Sequence, residues 1–223
     1  MLENNLKEII SEIENGNNLG EKITLVGATK TVDIDTINRA ISFGLKVVAE
    51  NKVQEFREKT DKIVGAEQHF IGRLQTNKVK YLVGKVSLIH SVDSIHLAEA
   101  INKECLKKGV SQNVLLEVNI GGELSKGGFS PEEVLPAAKT ISEMKGVTVK
   151  GLMAMLPESN DEEYLITLLD KTRDLFEQLK CVSAAEYLSV GMSGDYKLAI
   201  KHGSNMIRVG SKIFGKRNYE VIK

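Results

Sequence analysis

Cysteine is scarce in this sequence: Cys105 and Cys181 are the only two in 223 residues, far apart and in helical surroundings. Neither belongs to a paired motif, which argues against a disulfide or zinc framework. Histidine is thin as well. His69, His90, His96 and His202 show no ligand spacing such as i, i+4 on a helix face, so metal catalysis has no support and satisfied structural histidines are expected. A charge excess of either sign is missing too, because 30 basic and 30 acidic residues cancel. No global field therefore draws the chain to nucleic acid or to an anionic membrane, although local basic clusters remain open. No apolar run reaches membrane-spanning length. The start, MLENNLKEIISEIENG, has helical apolar spacing at Leu6, Ile9, Ile10 and Ile13 instead of the basic-then-apolar order of a signal peptide. The cytoplasm is the default expectation. Finally, no Ser/Gly/Pro-rich linker or break in composition divides the chain, and residues 1–223 are read as one domain.

With 42% hydrophobic and 27% charged residues, the chain has the material for a substantial core. After the first helix, short β-branched runs alternate with helical patterns. The runs are ITLVGAT (23–29), KVVAEN (46–51), QHFIG (68–72), SLIHSVD (87–93), NVLLEVNI (113–120), VTVKGLMAM (147–155), EYLSVG (186–191) and MIRVG (206–210). Between them lie segments such as DSIHLAEAINKECLKK and DEEYLITLLDKTRDLFEQLK with helical apolar spacing. Ser130-Pro131-Glu132-Glu133 supplies a capping box with proline at the first helical position. Pro136 follows within two turns and is expected to distort that helix locally or to delay its regular part. Eight strand–helix repeats give either a closed barrel or a doubly wound open sheet. The dinucleotide fingerprint G-x-G-x-x-G is absent, since GATKTVD follows the first strand, and the count favours a single (β/α)8 TIM-type barrel with an extra N-terminal helix.

On a barrel, Thr24, Val26, Ala28 and Lys30 share one face of strand 1, and Lys30 lies at the carboxyl end where barrel enzymes place their chemistry. A rim lysine closing the strand is the plain alternative. Strands 7 and 8 run into LSVGMSGDYKLAIKHG and MIRVGSKIFGKRNY, so both end in glycine and small hydroxyl residues, where barrels often bind phosphate. Ser193 and Ser211 can offer hydroxyls there. Arg208, inside the apolar MIRVG, needs a partner for its charge. The plain reading is a salt bridge to Glu50 or Glu117; the sharper one is a ligand contact. A lysine, a phosphate cradle and an arginine facing a ring nitrogen would together suit pyridoxal phosphate.

A specific set of motifs spans essentially the whole chain: TK at 29–30, EN at 50–51 followed by VQE, HFIGRLQTNK at 69–78, NIGGELSKGG at 119–128, KGLMAM at 150–155, LSVGMSGD at 188–195 and RVGSKIFG at 208–215. With these the chain resembles the pyridoxal phosphate homeostasis proteins, barrels similar to the N-terminal domain of alanine racemase. The resemblance implies that Lys30 forms the internal aldimine and that Arg208 stands near the pyridine nitrogen, where a cation disfavours pyridinium. It also implies Ser193, Gly210 and Ser211 as the phosphate cradle and Asn51 as the asparagine near the cofactor. Position 49 is Ala where Gly is common, and 211 is Ser where Thr is common; serine keeps the hydroxyl, and Ala49 is expected to shift strand 2 slightly. Arg73, Gln75, Asn77 and Lys78 read as a solvated helix start or as a loop over the cofactor mouth. Glu123, Ser125 and Lys126 read as a flexible turn, with a second lysine near the phosphate as the functional alternative. Met153 and Met155 read as core filling.

Two functions follow from the resemblance. In one, the protein binds pyridoxal phosphate and buffers it or delivers it to apoenzymes that depend on it, as a monomer or weak homo-oligomer. In the other, it is a fold-type III racemase or lyase acting on amino acids. Racemisation needs a base on each face, and alanine racemase takes one, a tyrosine, from a C-terminal domain. For that domain a sequence ending at Lys223 leaves no room. Tyr187, Tyr196 and Tyr219 are available, yet none is identifiable as a second base, so the carrier is expected.

Overall fold

A computed structural model describes residues 1–123 and 127–215. The chain opens with helix α1 (Leu2–Ile13) and then enters β1 (Thr24–Ala28). There follow α2 (Ile34–Ser42), β2 (Val47–Glu50), α3 (Val53–Lys59), β3 (Glu67–Phe70), β4 (Leu88–Val92), α4 (Ile95–Lys108) and β5 (Gln112–Val118). The remainder is α5 (Pro131–Ser142), β6 (Val147–Ala154), α6 (Glu162–Lys180), β7 (Tyr187–Ser189), α7 (Tyr196–Lys201), β8 (Met206–Val209) and the short α8 (Ser211–Phe214). The strands pair in sequence order, all parallel, and β8 returns to β1 through Val26↔Arg208, closing the barrel. All eight strand expectations are met, each within a few residues, and the chain has the (β/α)8 architecture with an added helix at its start.

Alternation along the strands sorts side chains into two layers. Val26, Val47, Ala49, Leu88, Leu115, Met153 and Met206 fill the barrel interior. Leu25, Ile207 and Val209 face outward onto Leu6, Ile9 and Ile13 of α1, which explains that helix's apolar stripe. Asn5 fixes α1 to the last helix by donating to the Ile213 carbonyl at 3.2 Å. Ala49 sits in the ladder between Ala28 and His69.

Two expectations need correction. The segment after β3 contains no α-helix: a 3-10 helix spans Thr76–Tyr81 and carries the chain to β4. Pro136 does not break α5, which is continuous from its capping box onward, with Ser130 N donating to Glu133 at 2.8 Å. The reason is placement. Pro136 and Glu132, whose carbonyl the missing N–H would have met, are on the half-turns exposed to water, while Val134, Ala137, Ala138 and Ile141 bury the other face. In β6 the register skips Lys150, with Val149 opposite Val114 and Gly151 opposite Leu115. Only glycine fits at the skip: φ at Gly151 is +146°, and a Cβ there would lie 1.8 Å from the Tyr187 carbonyl oxygen.

Candidate functional site

Lys30 follows β1 by two residues, and the backbone on either side of it is fixed by one buried polar cluster. On one side, Thr29 is fully buried and its hydroxyl donates to Glu50 Oε1 at 2.7 Å. On the other, Thr31 adopts φ +63°, a left-handed conformation uncommon for a β-branched residue, and its N–H donates to Glu55 Oε2 at 2.8 Å. Lys59 joins the two halves. Its ammonium donates to Glu50 Oε1 at 2.7 Å, to the Thr29 carbonyl at 3.0 Å and to Glu55 Oε2 at 3.1 Å, using all three hydrogens. Burial pushes the Glu50 carboxyl above its ordinary range, although Lys59 and Thr29 oppose that. Burial works on Glu55 in the same sense, but the Thr31 N–H and Lys59 outweigh it and hold that carboxyl low. The threonines flanking Lys30 are thus handles by which α3 and β2 grip the end of β1.

Arg208 is 5% exposed and has no carboxylate partner among the described residues, so the expected ion pair with Glu50 or Glu117 is not formed. Glu50 is taken by Lys59, and Glu117 acts on Arg208 only through space. The guanidinium instead donates through NH1 to the Ser189 carbonyl at 2.6 Å and to Ser189 Oγ at 2.7 Å, and through NH2 to the Ala154 carbonyl at 3.0 Å. These acceptors come from the ends of β7, which pairs with β8, and of β6, one strand further round the barrel. Burial draws Arg208 down to about 10, against the attraction of Asp195 and Glu117, so it stays cationic at neutral pH.

The loops after β7 and β8 are joined by Ser193, whose Oγ accepts from Gly210 N at 3.2 Å and from Lys212 N at 3.4 Å. With its oxygen engaged by two backbone donors, the hydroxyl hydrogen is left to donate elsewhere. Asn51 stands across the mouth, at the end of β2. Its Oδ1 is buried with no hydrogen-bond partner among the described residues, a costly state for an amide oxygen unless a ligand completes it. Gly72 makes this approach possible: a Cβ there would fall 1.9 Å from the Asn51 carbonyl oxygen.

Lys30, Asn51, Ser193, Arg208, Gly210 and Ser211 all line one cavity of about 770 Å³ at the carboxyl end of the barrel. Arg73 lines the same cavity, while Gln75 and Lys78 line its neighbour. Met153 is core, as expected; Met155 is not, because β6 ends at Ala154 and leaves Met155 in the mouth. Tyr187 lies at the opposite end of the barrel, and Tyr196 is buried outside it with its hydroxyl on Glu12 and Lys212. Ser125, Lys126 and Tyr219 lie outside the described residues, whereas Glu123 donates its N–H to Asn119 at 3.1 Å. Sequence reasoning missed Lys59, Glu55 and Ser189. The i, i+4 spacing of Glu55 and Lys59 was a signal for a pair, though not for its burial.

Cys105 and Cys181 are free thiols, and the described residues contain no cluster of three or more metal-ligating side chains. Among the same residues no helix is long and apolar enough to cross a membrane.

The family described as alanine racemase, N-terminal domain, matches residues 2–218. The pyridoxal phosphate homeostasis protein of Aquifex aeolicus (strain VF5) is 45% identical over 199 residues, covering 87% of each chain. PipY of Synechococcus elongatus PCC7942, in its structure with PLP bound, superposes with a TM-score of 0.86 at 26% identity, covering 96% of this chain and 100% of that one. Alanine racemase of Clostridium difficile 630 shares the fold alone, with a TM-score of 0.77 at 16% identity over 97% of this chain and 56% of that one. By the span of the family match and the identity to curated relatives, the chain belongs to the pyridoxal phosphate homeostasis proteins, within the alanine racemase N-terminal domain family.

Proposed function

We propose that this protein binds pyridoxal phosphate reversibly through Lys30 and serves the cell by buffering or delivering it. The observation that carries the reading is the convergence of Lys30, the carboxylate-free guanidinium of Arg208 and the Ser193–Gly210 loop contact on one cavity. The orphaned Oδ1 of Asn51 supports the fit, and the cavity volume suits a small cofactor. When bound, the cofactor supplies an aldehyde that a lysine amine can capture covalently and release again by hydrolysis.

Each residue then has a task. Lys30 provides the amine, at a backbone position held on both sides by the Glu50–Lys59–Glu55 cluster. Ser193 and Ser211 offer uncharged hydroxyl donors to a phosphate, which such oriented groups bind well, and the Gly210 N–H, spent on Ser193 Oγ, holds that hydroxyl in the cradle. Arg208 keeps a positive charge deep in the cavity and so disfavours a proton on a ring nitrogen placed beside it. Asn51 completes the rim.

Turnover is a poorer account of the same site. Besides Lys30, the titratable side chains lining the cavity among the described residues are Asp33, Arg73 and Arg208. Asp33 is engaged in capping α2, accepting from Thr36 N and Thr36 Oγ1 at 2.8 Å each. Among the described residues, no lining side chain is placed as a second proton donor of the tyrosine type. Intracellular apoenzymes needing the cofactor are the recipients this reading implies.

The test is optical. Adding pyridoxal phosphate to the purified protein should produce a new visible absorption band, and Lys30→Ala should abolish it while leaving the far-UV circular dichroism spectrum unchanged. An unchanged band in the Lys30→Ala protein would place the reactive amine elsewhere.

A further inference from the structure

Beneath Arg208 the barrel interior holds a row of polar groups that the site does not use. Ser189 Oγ, which accepts from Arg208, lies 3.2 Å from His90 Nδ1. The other nitrogen of that ring, His90 Nε2, lies 3.0 Å from His69 Nδ1. His69 Nε2 in turn lies 3.6 Å from Glu67 Oε2, at the opposite, amino end of the barrel, where the Glu67 side chain is 67% exposed. Both rings are buried, and burial holds them neutral: His69 is drawn down to about 4, and His90 well below its ordinary value, with the charges of His69 and Arg208 adding to burial.

The direction of this row is dictated from both ends. A guanidinium can only donate, and an ionised carboxylate can only accept. Because Ser189 Oγ accepts from Arg208, its hydrogen is available to His90 Nδ1, the one other polar atom it meets among the described residues. His90 must then carry its proton on Nε2 and give it to His69 Nδ1. His69 carries its proton on Nε2, facing the Glu67 carboxylate. In the reverse order the Ser189 hydrogen would have no acceptor, and a bare His69 nitrogen would face an anion. Both defects are costly in a buried setting.

We propose that Ser189 and His90 are positioning residues for Arg208, held in a single tautomeric order by a one-way donor row that crosses the barrel to Glu67. The tautomeric order stands without any ligand; the effect on Arg208 rests on the reading that the cavity takes pyridoxal phosphate.

The experiment uses the full-length protein labelled with ¹⁵N in histidine, with two variants, His90→Leu and His90→Asn. In the ligand-free wild type, long-range ¹H–¹⁵N spectra near neutral pH should show both rings neutral with the proton on Nε2. Protonation of Nδ1 on either ring, or a charged ring, would overturn the row. Titration with pyridoxal phosphate then reads positioning. His90→Leu, which strands the Ser189 hydroxyl, should weaken binding about tenfold and shift the visible band. His90→Asn, whose side-chain oxygen can replace Nδ1 as acceptor, should stay within about threefold of wild type. Equal affinity and an unshifted band in His90→Leu would overturn the positioning role, as would equal losses in both variants. If His90→Leu fails to fold, the wild-type tautomers and the His90→Asn titration decide the matter. A wild type that takes up no cofactor would refute the proposed function and, with it, the positioning role, while the ligand-free spectra would still judge the tautomeric order.

Discussion

Replacing Lys59 by methionine isolates the cluster behind Lys30. The change keeps most of the aliphatic stem and removes the ammonium that three acceptors share. Glu50, 3% exposed, is left with the Thr29 hydroxyl as its remaining partner. Breaking a buried pair from one side costs about 3–5 kcal/mol when the surviving charge cannot escape. Glu50 can escape, by taking a proton. Starting from an ordinary value of 4.5, holding the carboxyl protonated at about pH 7 costs roughly 3.4 kcal/mol at 1.36 kcal/mol per pH unit. At about pH 5.5 the same escape costs roughly 1.4 kcal/mol. The predicted destabilisation is therefore about 3–4 kcal/mol near neutrality and about 2 kcal/mol less in mild acid. The sign agrees with linkage. An acid whose folded pKa is raised contributes full stability below its unfolded value and loses it as pH rises through the folded one. Urea unfolding followed by circular dichroism at the two pH values measures both numbers. A loss below about 1 kcal/mol, or one that does not depend on pH, would refute the account of Glu50 as a buried charge held by Lys59.

Three further outcomes are expected. Pyridoxal, lacking the phosphate, should bind at least about tenfold more weakly than pyridoxal phosphate by absorbance titration, because the hydroxyl donors at Ser193 and Ser211 lose their anion. L-Alanine in D₂O with the loaded protein should gain no Cα deuterium by NMR above a protein-free control, while apoenzyme reactivation proceeds; rapid deuteration lost in Lys30→Ala would favour the racemase or lyase reading. Arg173→Met should cost about 1–2 kcal/mol near neutral pH after allowing for solvent screening, by loss of its two-pronged contact to Glu21 at 2.8 and 3.0 Å. Because Arg173 holds Glu21 down to about 2, from 4.5, that contribution is present above the ordinary carboxylate range and fades as pH falls toward 2, so wild type and variant should converge in acid denaturation curves.

The barrel was legible because β-branched runs and helical spacing alternate along nearly the whole chain, and the ends of strands were not. Asn51 and Gly72 extend apolar runs yet sit in the mouth, since the strands stop where the backbone turns toward the cavity. The stretch after β3 buries Leu74, Val79, Leu82 and Val83 in the core, yet the chain forms a 3-10 helix there and no α-helix. The lining of the cavity was legible for a different reason: a lysine, glycines, serines and an arginine at strand ends fall on one rim once strands are counted. The partner of Arg208 was hidden. A charge inside a strand announces that it needs compensation, but whether a carboxylate or two carbonyls provide it depends on which strand ends the side chain reaches inside the barrel. Lys59 was hidden likewise, because its role is set by the meeting of α3 with the ends of β1 and β2.

Two buried polar assemblies thus stand behind Lys30 and Arg208, two cations of the cavity that come from the paired strands β1 and β8. Behind Lys30 the assembly is ionic and grips the main chain, fixing where the lysine emerges while leaving the side chain to be placed by the cavity. Behind Arg208 the assembly is neutral, made of a hydroxyl and two imidazoles, and grips the guanidinium itself. Apolar residues of similar volume would satisfy stability as well as either, since buried charges and polar rows gain little over hydrophobic packing. What such residues could not do is fix an amine and a cation in one cavity without neutralising the cation. A carboxylate beside Arg208 would have cancelled the charge offered to a ligand; carbonyl and hydroxyl oxygens hold the group in place and leave that charge available.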